Sequence, residues 1–134
     1  MMSNRPISTI EGGRASFAFS EVKKFVETHR EHAKDYRSYV KKMPAMIQVN
    51  GLGQTLAFYY SKKNKKAYYE IYQTITSWLK KEFPQFFTKE QTLVEVVINL
   101  DSSDYRMFTI EVMALLNWMR KFVDGMVEVK EGES

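Results

Sequence analysis

The side chains best suited to acid–base or metal chemistry in this chain are its two histidines, His29 and His32. Three residues apart, they could share one face of a helix and act as metal ligands, or as the acid or base of a helical ribonuclease. A zinc site would need a third or fourth ligand of fixed geometry. The nearby Glu27, Glu31 and Asp35 alternate with basic residues, which is typical of a solvated helix face. We expect no metal here. A ribonuclease is less favoured than the two non-enzymatic hypotheses given below.

The sequence carries no other pattern of catalytic residues. It has no Cys and none of the motifs HExxH, GxSxG or GxxxxGK[ST], and it has no GxGxxG after a strand. Asp101 and Asp104 could form a pair of carboxylates, but they lie where a helix needs capping oxygens. We therefore predict a protein that is not an enzyme, with no catalytic residue and no cofactor.

Basic side chains cluster in three parts of the chain and predict an anionic partner. The first predicted helix carries Lys23, Lys24, Arg30, Lys34 and Arg37. Six lysines stand at the two ends of segment 44–61, and Arg106, Arg120 and Lys121 follow near the C-terminus. If several of these share a face, they would bind RNA phosphates in a salt-sensitive, sequence-independent way. Most aromatic residues fall on apolar stripes, so we assign them to the core and favour phosphate contact over base recognition. The six lysines are Lys41, Lys42, Lys62, Lys63, Lys65 and Lys66.

Two glycines, Gly51 and Gly53, interrupt a segment that otherwise has helical periodicity. Inside a helix each would cost roughly 1 kcal/mol relative to Ala. Such glycines usually let another backbone or a ligand approach closely. A packing role and a binding role both stay open.

Apolar residues recur at helical spacing through most of the chain, and no segment of useful length alternates as a strand does. Residues 14 to 42 are predicted to form one long helix or two in near-continuous sequence. Pro44 should open the next helix, which extends to Ser61. A third helix with a clean apolar stripe should end before Pro84.

The C-terminal third of the chain is predicted to hold two more helices. Thr88 and Gln91 form a capping-box pattern that would open a short helix to about Asn99. The last helix has apolar steps of three and four from Tyr105 and should end near Gly125. We therefore predict an all-α fold, a single-domain bundle of five or six helices over residues 14–125.

The two ends of the chain differ from this helical body. Residues 1–13 contain Pro6, Gly12 and Gly13 without periodicity, and are predicted to be a mobile leader. Residues 126–134 are predicted to be an acidic, disordered tail. The formal charge is +4, and segment 124–134 alone carries −3, so the remainder is basic. Such a body suits an anionic partner, although lysines also serve solubility.

The start of the sequence lacks the apolar run of a secretory signal, and no stretch approaches a membrane span in length. We expect a cytoplasmic protein with no membrane partner.

Two long signatures stand out in this sequence. The first, K-x-P-x-M-I-x-x-N-G-L-G-Q-x-L-A-F, comprises Lys42, Pro44, Met46, Ile47, Asn50, Gly51, Leu52, Gly53, Gln54, Leu56, Ala57 and Phe58. The second, Y-R-x-x-T-x-E-x-x-x-L-L-x-W-x-(R/K)-(R/K)-F, comprises Tyr105, Arg106, Thr109, Glu111, Leu115, Leu116, Trp118, Arg120, Lys121 and Phe122. With these signatures the chain closely resembles the small helical subunit of type III-B CRISPR effector complexes, the Cmr (RAMP module) type, over roughly residues 15 to 125.

The resemblance implies an all-α subunit of an antiviral complex without a catalytic site of its own. Members of the family stack as a minor filament beside the backbone subunits and line the channel where target RNA pairs with the guide. The implied partners are CRISPR RNA and target RNA, other subunits of the Cmr complex, and further copies of this chain. The residues that the resemblance favours for RNA contact are Lys42, Arg106, Arg120 and Lys121, with Lys41 beside them.

A competing hypothesis from another class is a helical protein–protein adaptor that has no direct contact with nucleic acid. In that case the lysines would only keep the protein soluble.

Overall fold

The computed structural model describes residues 7–129, with side chains described from residue 11 onward. Within this range the chain forms a single bundle of six α-helices, which confirms the predicted all-α fold. Short 3₁₀ turns at Arg30–His32 and Pro84–Phe86 join some of them. The helices are α1 (Ile7–Thr28), α2 (Ala33–Asn50), α3 (Leu52–Ser61), α4 (Lys66–Glu82), α5 (Leu93–Ile98) and α6 (Ser102–Met126).

Helix α6 is the central element of the bundle. It packs most extensively against α1 and α2 and also contacts α4, while α3 packs against α2, α4 and α5. The largest fully buried side chains are Trp78, Tyr36, Tyr59 and Phe108, which come from four different helices. Burying rings of this size supplies most of the favourable free energy of such a bundle.

Helix α1 begins at Ile7, so the helical domain starts earlier than the predicted boundary at residue 14. Residues 7–13 extend this helix in spite of the helical cost of Gly12 and Gly13. The reason is tertiary: Glu11 accepts a hydrogen bond from the Trp118 indole, and Arg14 pairs with Glu111 of α6. The rest of the predicted leader, residues 1–6, lies outside the described residues.

At the other end α6 includes Met126, and Val127 is buried against the bundle, so the packed domain extends slightly beyond residue 125. Residues 130–134 of the predicted tail lie outside the described residues.

Pro44 does not begin a helix as the sequence predicted, because α2 continues through it to Asn50. Tyr36, Val40, Met43 and Ile47 form one continuous buried stripe along α2, and their packing outweighs the helix-breaking tendency of proline. Val49 lies on the same helix, but its side chain is 81% exposed. Two residues correspond to about 200° of helical rotation, so Val49 points away from the side that buries Ile47.

The break between the second and third helices lies at Gly51, which has φ 87° and ψ 163°. This backbone conformation is essentially restricted to glycine. The chain therefore changes direction at the glycine instead of at the proline.

The capping box of α5 is formed by Thr92 and Glu95, not by Thr88 and Gln91. The Thr92 hydroxyl accepts from the Glu95 amide, and the Glu95 carboxylate accepts from the Thr92 amide. The same motif recurs four residues later in the sequence, where it directly precedes the buried Leu93. The predicted cap of α6 is confirmed, because the Asp101 carboxylate accepts a hydrogen bond from the Asp104 amide at 2.8 Å.

In the part of the chain that the structure describes, none of the helices is both long and apolar enough to cross a membrane.

Candidate nucleic-acid interface

The outer face of α6 carries three of the five predicted RNA-binding residues. Arg106, Arg120 and Lys121 are all exposed. At 100° per residue their directions from the helix axis fall within about 100° of one another, so they share one side of α6. Arg106 and Arg120 are separated by about 21 Å along the axis at 1.5 Å per residue. The structure thus presents one cation near the start of α6 and two near its end on the same side of the helix, and these three residues are called the α6 strip.

Lys41 joins the C-terminal end of this strip through Asp124. Its ammonium lies 2.8 Å from a carboxylate oxygen of Asp124, and the Arg37 guanidinium lies 3.0 Å from the same oxygen. The hydrogen bond from Lys41 and the two positive charges hold the pKa of Asp124 below its ordinary value. Asp124 is one helical turn beyond Arg120, so its contact with Lys41 places Lys41 at the C-terminal end of α6. The ion pair between Lys41 and Asp124 is exposed and therefore weak, so a phosphate could replace the Asp124 carboxylate.

Lys42 lies on a different side of α2 from Lys41. Its ammonium donates to the Tyr68 hydroxyl at 2.6 Å and stands 4.7 Å and 5.0 Å from the ring centroids of Tyr39 and Tyr68. A cation held by a hydroxyl and two rings acts mainly in packing. The structure therefore brings Arg106, Arg120, Lys121 and Lys41 onto adjoining surfaces and separates Lys42 from them.

A charged network fixes the position of α6 in the bundle. Glu111 is only 8% exposed, yet its carboxylate accepts two hydrogen bonds from Arg14, at 2.7 Å and 2.9 Å, and one from the Trp78 indole at 2.7 Å. Arg14 also donates to Glu11 at 2.6 Å, and Glu11 accepts from the Trp118 indole at 2.8 Å. These contacts tie α6 to α1 and α4 and hold its outer face in one orientation.

The network alters the ionisation of its members. Burial alone would raise the pKa of Glu111, but the hydrogen bonds from Arg14 and Trp78 outweigh it and leave that pKa below its ordinary value. The hydrogen bond to Glu111 raises the pKa of Arg14. Both groups are therefore charged at neutral pH.

Sequence reasoning did not recognise the pairing of Arg14 with Glu111. One signal was available, because Glu111 interrupts the apolar stripe that includes Phe108, Val112 and Leu115. A carboxylate on a core-facing position requires a cationic or hydrogen-bonding partner. The sequence does not say which residue supplies it.

The two glycines serve packing against α6. The Gly53 amide donates to the Tyr105 hydroxyl at 2.7 Å. The same hydroxyl lies 3.2 Å and 3.4 Å from the positions that a Cβ would occupy at Gly51 and Gly53. The Tyr105 side chain therefore approaches both glycines closely at this turn.

The two histidines do not converge on a common centre. His29 packs with its ring centroid 5.0 Å from that of Phe25, and the His29 and His32 centroids are 6.5 Å apart. Among the residues that the structure describes, no three His, Asp or Glu side chains are grouped so that they could hold a metal ion.

Taken together, the geometry defines a small all-helical domain whose central helix, α6, exposes three cations on one side. Residues 10–126 match the family model described as CRISPR-associated protein (Cas_Cmr5), and the chain belongs to that family. Its structure is also similar to the crystal structure of a CRISPR-associated Cmr5 family protein from Thermus thermophilus, with a TM-score of 0.72 and 21% sequence identity over 87% of this chain and 99% of that chain. At that identity the structural likeness shows a shared fold. The family match confirms the resemblance to the small subunit of the type III-B Cmr complex.

Proposed function

We propose that this protein is a non-catalytic small subunit of a CRISPR RNA-guided, RNA-targeting effector complex of the cytoplasm. In this role it contacts the phosphates of the guide–target RNA through the outer face of α6 and contacts neighbouring subunits, including further copies of itself, through other helix faces. The observation that carries the proposal is the strip formed by Arg106, Arg120 and Lys121. Family membership supports assembly with other CRISPR-associated subunits.

The strip has the properties that phosphate contact requires. Its three cations are exposed and stand on a single helix, which the Glu111 network holds against α1 and α4. Lys121 makes only a 3.1 Å contact with the Asn117 side-chain oxygen and lies 5.9 Å from the Trp118 ring centroid. A phosphate would therefore not have to displace a carboxylate from these residues. Contacts of this kind position RNA without reading its sequence.

The test is a charge reversal of the strip, Arg106→Glu with Arg120→Glu and Lys121→Glu, measured by RNA binding of the assembled complex at several salt concentrations. A plot of log affinity against log salt concentration has a negative slope. Losing three phosphate contacts should make that slope shallower by about 2. Affinity at low salt should fall by about tenfold or more. The fold should be unchanged because all three side chains are exposed.

The matched control reverses three exposed lysines away from this strip, Lys24→Glu with Lys80→Glu and Lys89→Glu. It changes the net charge by the same amount, so a purely long-range effect of charge would lower affinity equally in both variants. Equal losses in both, or unchanged binding by the α6 variant, would contradict the assignment of the strip.

The adaptor remains the second candidate, because Ile110 stands in the middle of the same helix face with 61% of its surface exposed. An apolar side chain there suits contact with another protein. Ile110→Asp should then release neighbouring subunits while the α6 charge reversal leaves RNA binding intact.

The absence of catalysis has its own test: His29→Ala with His32→Ala should leave any RNA turnover by the complex unchanged.

A further inference from the structure

A cavity of about 400 Å³ opens where the turn before α2, the first half of α2 and the start of α4 meet. It lies apart from the α6 strip, on the side of α2 that carries Lys42. The cavity is lined by one tyrosine ring, two lysines and three further polar side chains that could hydrogen-bond a ligand. Its lining residues are His32, Asp35, Tyr39, Asn64, Lys65, Lys66 and Ala67.

Tyr39 forms a fixed platform in this cavity. Its ring stacks on Tyr68, with centroids 3.8 Å apart and planes at 12°. Its backbone carbonyl accepts a hydrogen bond from the Tyr59 hydroxyl. Tyr68 covers one face of the Tyr39 ring, and the Lys42 ammonium lies beside the stack, 4.7 Å from the Tyr39 centroid. The part of the ring that lines the cavity is therefore on the side away from Tyr68. A planar group stacked there would extend an existing stack at little conformational cost.

Lys65 and Lys66 supply positive charge beside this platform. Both are exposed, and within the described part of the chain neither ammonium makes a salt bridge. Their neighbours Lys62 and Lys63 instead stand over the rings of Phe58 and Tyr60, at 5.6 Å and 4.3 Å from the centroids. Asp35 is the one carboxylate among the lining residues.

An aromatic platform next to lysines without a salt bridge matches the base and the phosphate of a nucleotide. A base stacks on a tyrosine ring whatever its identity, and a phosphate pairs with ammonium groups. Asp35 and Asn64 lie on the same lining and offer an acceptor and an amide to the edge of a base.

We propose that this cavity binds one nucleotide of single-stranded RNA, with its base stacked on Tyr39 and an adjoining phosphate against Lys65 and Lys66. The inference rests on the proposed function in taking RNA as the ligand, but its residues are separate from those of the α6 strip. It assigns to Tyr39 the base-stacking role that was not predicted for any aromatic residue. It also gives Lys65 and Lys66, in the turn before α4 and at its start, a role in phosphate binding.

The first experiment irradiates the full-length protein with a short single-stranded RNA that contains 4-thiouridine and maps the adduct by mass spectrometry. We expect the cross-linked peptide to carry the nucleotide on Tyr39. Adducts confined to other parts of the chain would overturn the proposal.

The second experiment measures affinity for the same RNA. Tyr39→Ala should weaken binding about tenfold, whereas Tyr39→Phe keeps the stack and should bind within about twofold of the parent. Lys65→Glu with Lys66→Glu should lower the salt slope by about 1 and leave the fold intact, since both side chains are exposed. Lys80→Glu is the control, because this exposed lysine lies about 21 Å further along α4.

The outcomes separate this inference from the proposed function. If the α6 variant loses RNA while the Tyr39 and lysine variants keep it, the cavity assignment fails and the strip stands. If only the Tyr39 and lysine variants lose RNA, the strip fails and the cavity stands. If the lysine variant keeps RNA but no longer joins the other subunits, the cavity receives an acidic protein segment, and the nucleotide proposal is overturned.

Discussion

Among single residues, Glu111 joins three helices through one buried carboxylate. Its buried carboxylate accepts three hydrogen bonds from two other helices. A paired buried charge of this kind adds less to stability than its contacts suggest, because its desolvation is costly. Removing one member, however, leaves Arg14 without its main partner in a partly buried site. The pair is therefore best tested by substitutions that separate charge from shape.

We predict that Glu111→Ala lowers the free energy of unfolding by about 3 kcal/mol and that Glu111→Gln lowers it by less, because the amide oxygen still accepts from Trp78. Urea denaturation measures both. Glu27→Gln is the control, since Glu27 contacts Lys23 only at 3.9 Å with both side chains more than half exposed. That variant should stay within about 0.5 kcal/mol of the parent. Equal effects at positions 27 and 111 would show that the network contributes nothing.

We predict that the Glu111 carboxylate makes the stability of the protein depend on pH. Its pKa is lower in the folded state than in the unfolded chain, where a glutamate has a pKa of about 4.3. The folded state therefore binds fewer protons, so the contribution of Glu111 is complete above that pH and is lost as the pH falls through the folded pKa. Urea denaturation at a series of pH values should show a steeper acid loss for the parent than for Glu111→Gln. Parallel curves would contradict this.

Among the helices and turns, the pattern of success and failure in the sequence predictions has a physical explanation. The apolar stripe of α4 and the stop at Pro84 were predictable because both signals are local. The predicted helix start at Pro44 and the predicted continuous helix through Gly51 were both wrong. The buried stripe of α2 overrides the proline, and the positive φ of Gly51 cannot be read from residue type. The cap of α5 was displaced because two similar motifs follow each other and only Thr92 precedes the buried run.

We predict that Gly51→Ala lowers the free energy of unfolding by about 1–3 kcal/mol, because alanine is strained at φ 87° and its Cβ would lie 3.2 Å from the Tyr105 hydroxyl. Thermal denaturation followed by circular dichroism measures the loss. Gly53→Ala is the matched control. It lies in helical backbone, keeps its amide donor and meets Tyr105 only at 3.4 Å, so it should be close to neutral. If Gly53→Ala proved the more damaging, the conformational argument would fail.

Across the whole molecule, the candidate interface was predictable in composition but not in arrangement. The exposed cations of α6 could be grouped from helical spacing alone, since they belong to one element. Lys41 and Lys42 are adjacent in sequence, yet one meets Asp124 and the other meets Tyr68, and only the packing of α2 decides which. Arg14 and Glu111 are separated by 97 positions, so no local pattern could pair them.

We predict that removing residues 1–13 lowers the free energy of unfolding by about 2 kcal/mol or more, because α1 loses its first turns and Glu11 no longer accepts from Arg14 and Trp118. A dispensable leader would leave stability unchanged. Denaturation in urea distinguishes the two. Glu11→Ala in the full chain should reproduce part of the loss, which assigns that part to the side chain instead of to helix length.

The two tryptophans, Trp78 and Trp118, each direct their indole N–H to a carboxylate of the one network that joins α1, α4 and α6. Trp78 is almost fully enclosed, whereas Trp118 is only partly so. The protein thus contains a built-in optical reporter of this junction. A red shift of indole emission that precedes the loss of helical signal on heating would reveal that the first helix detaches before the remaining bundle melts.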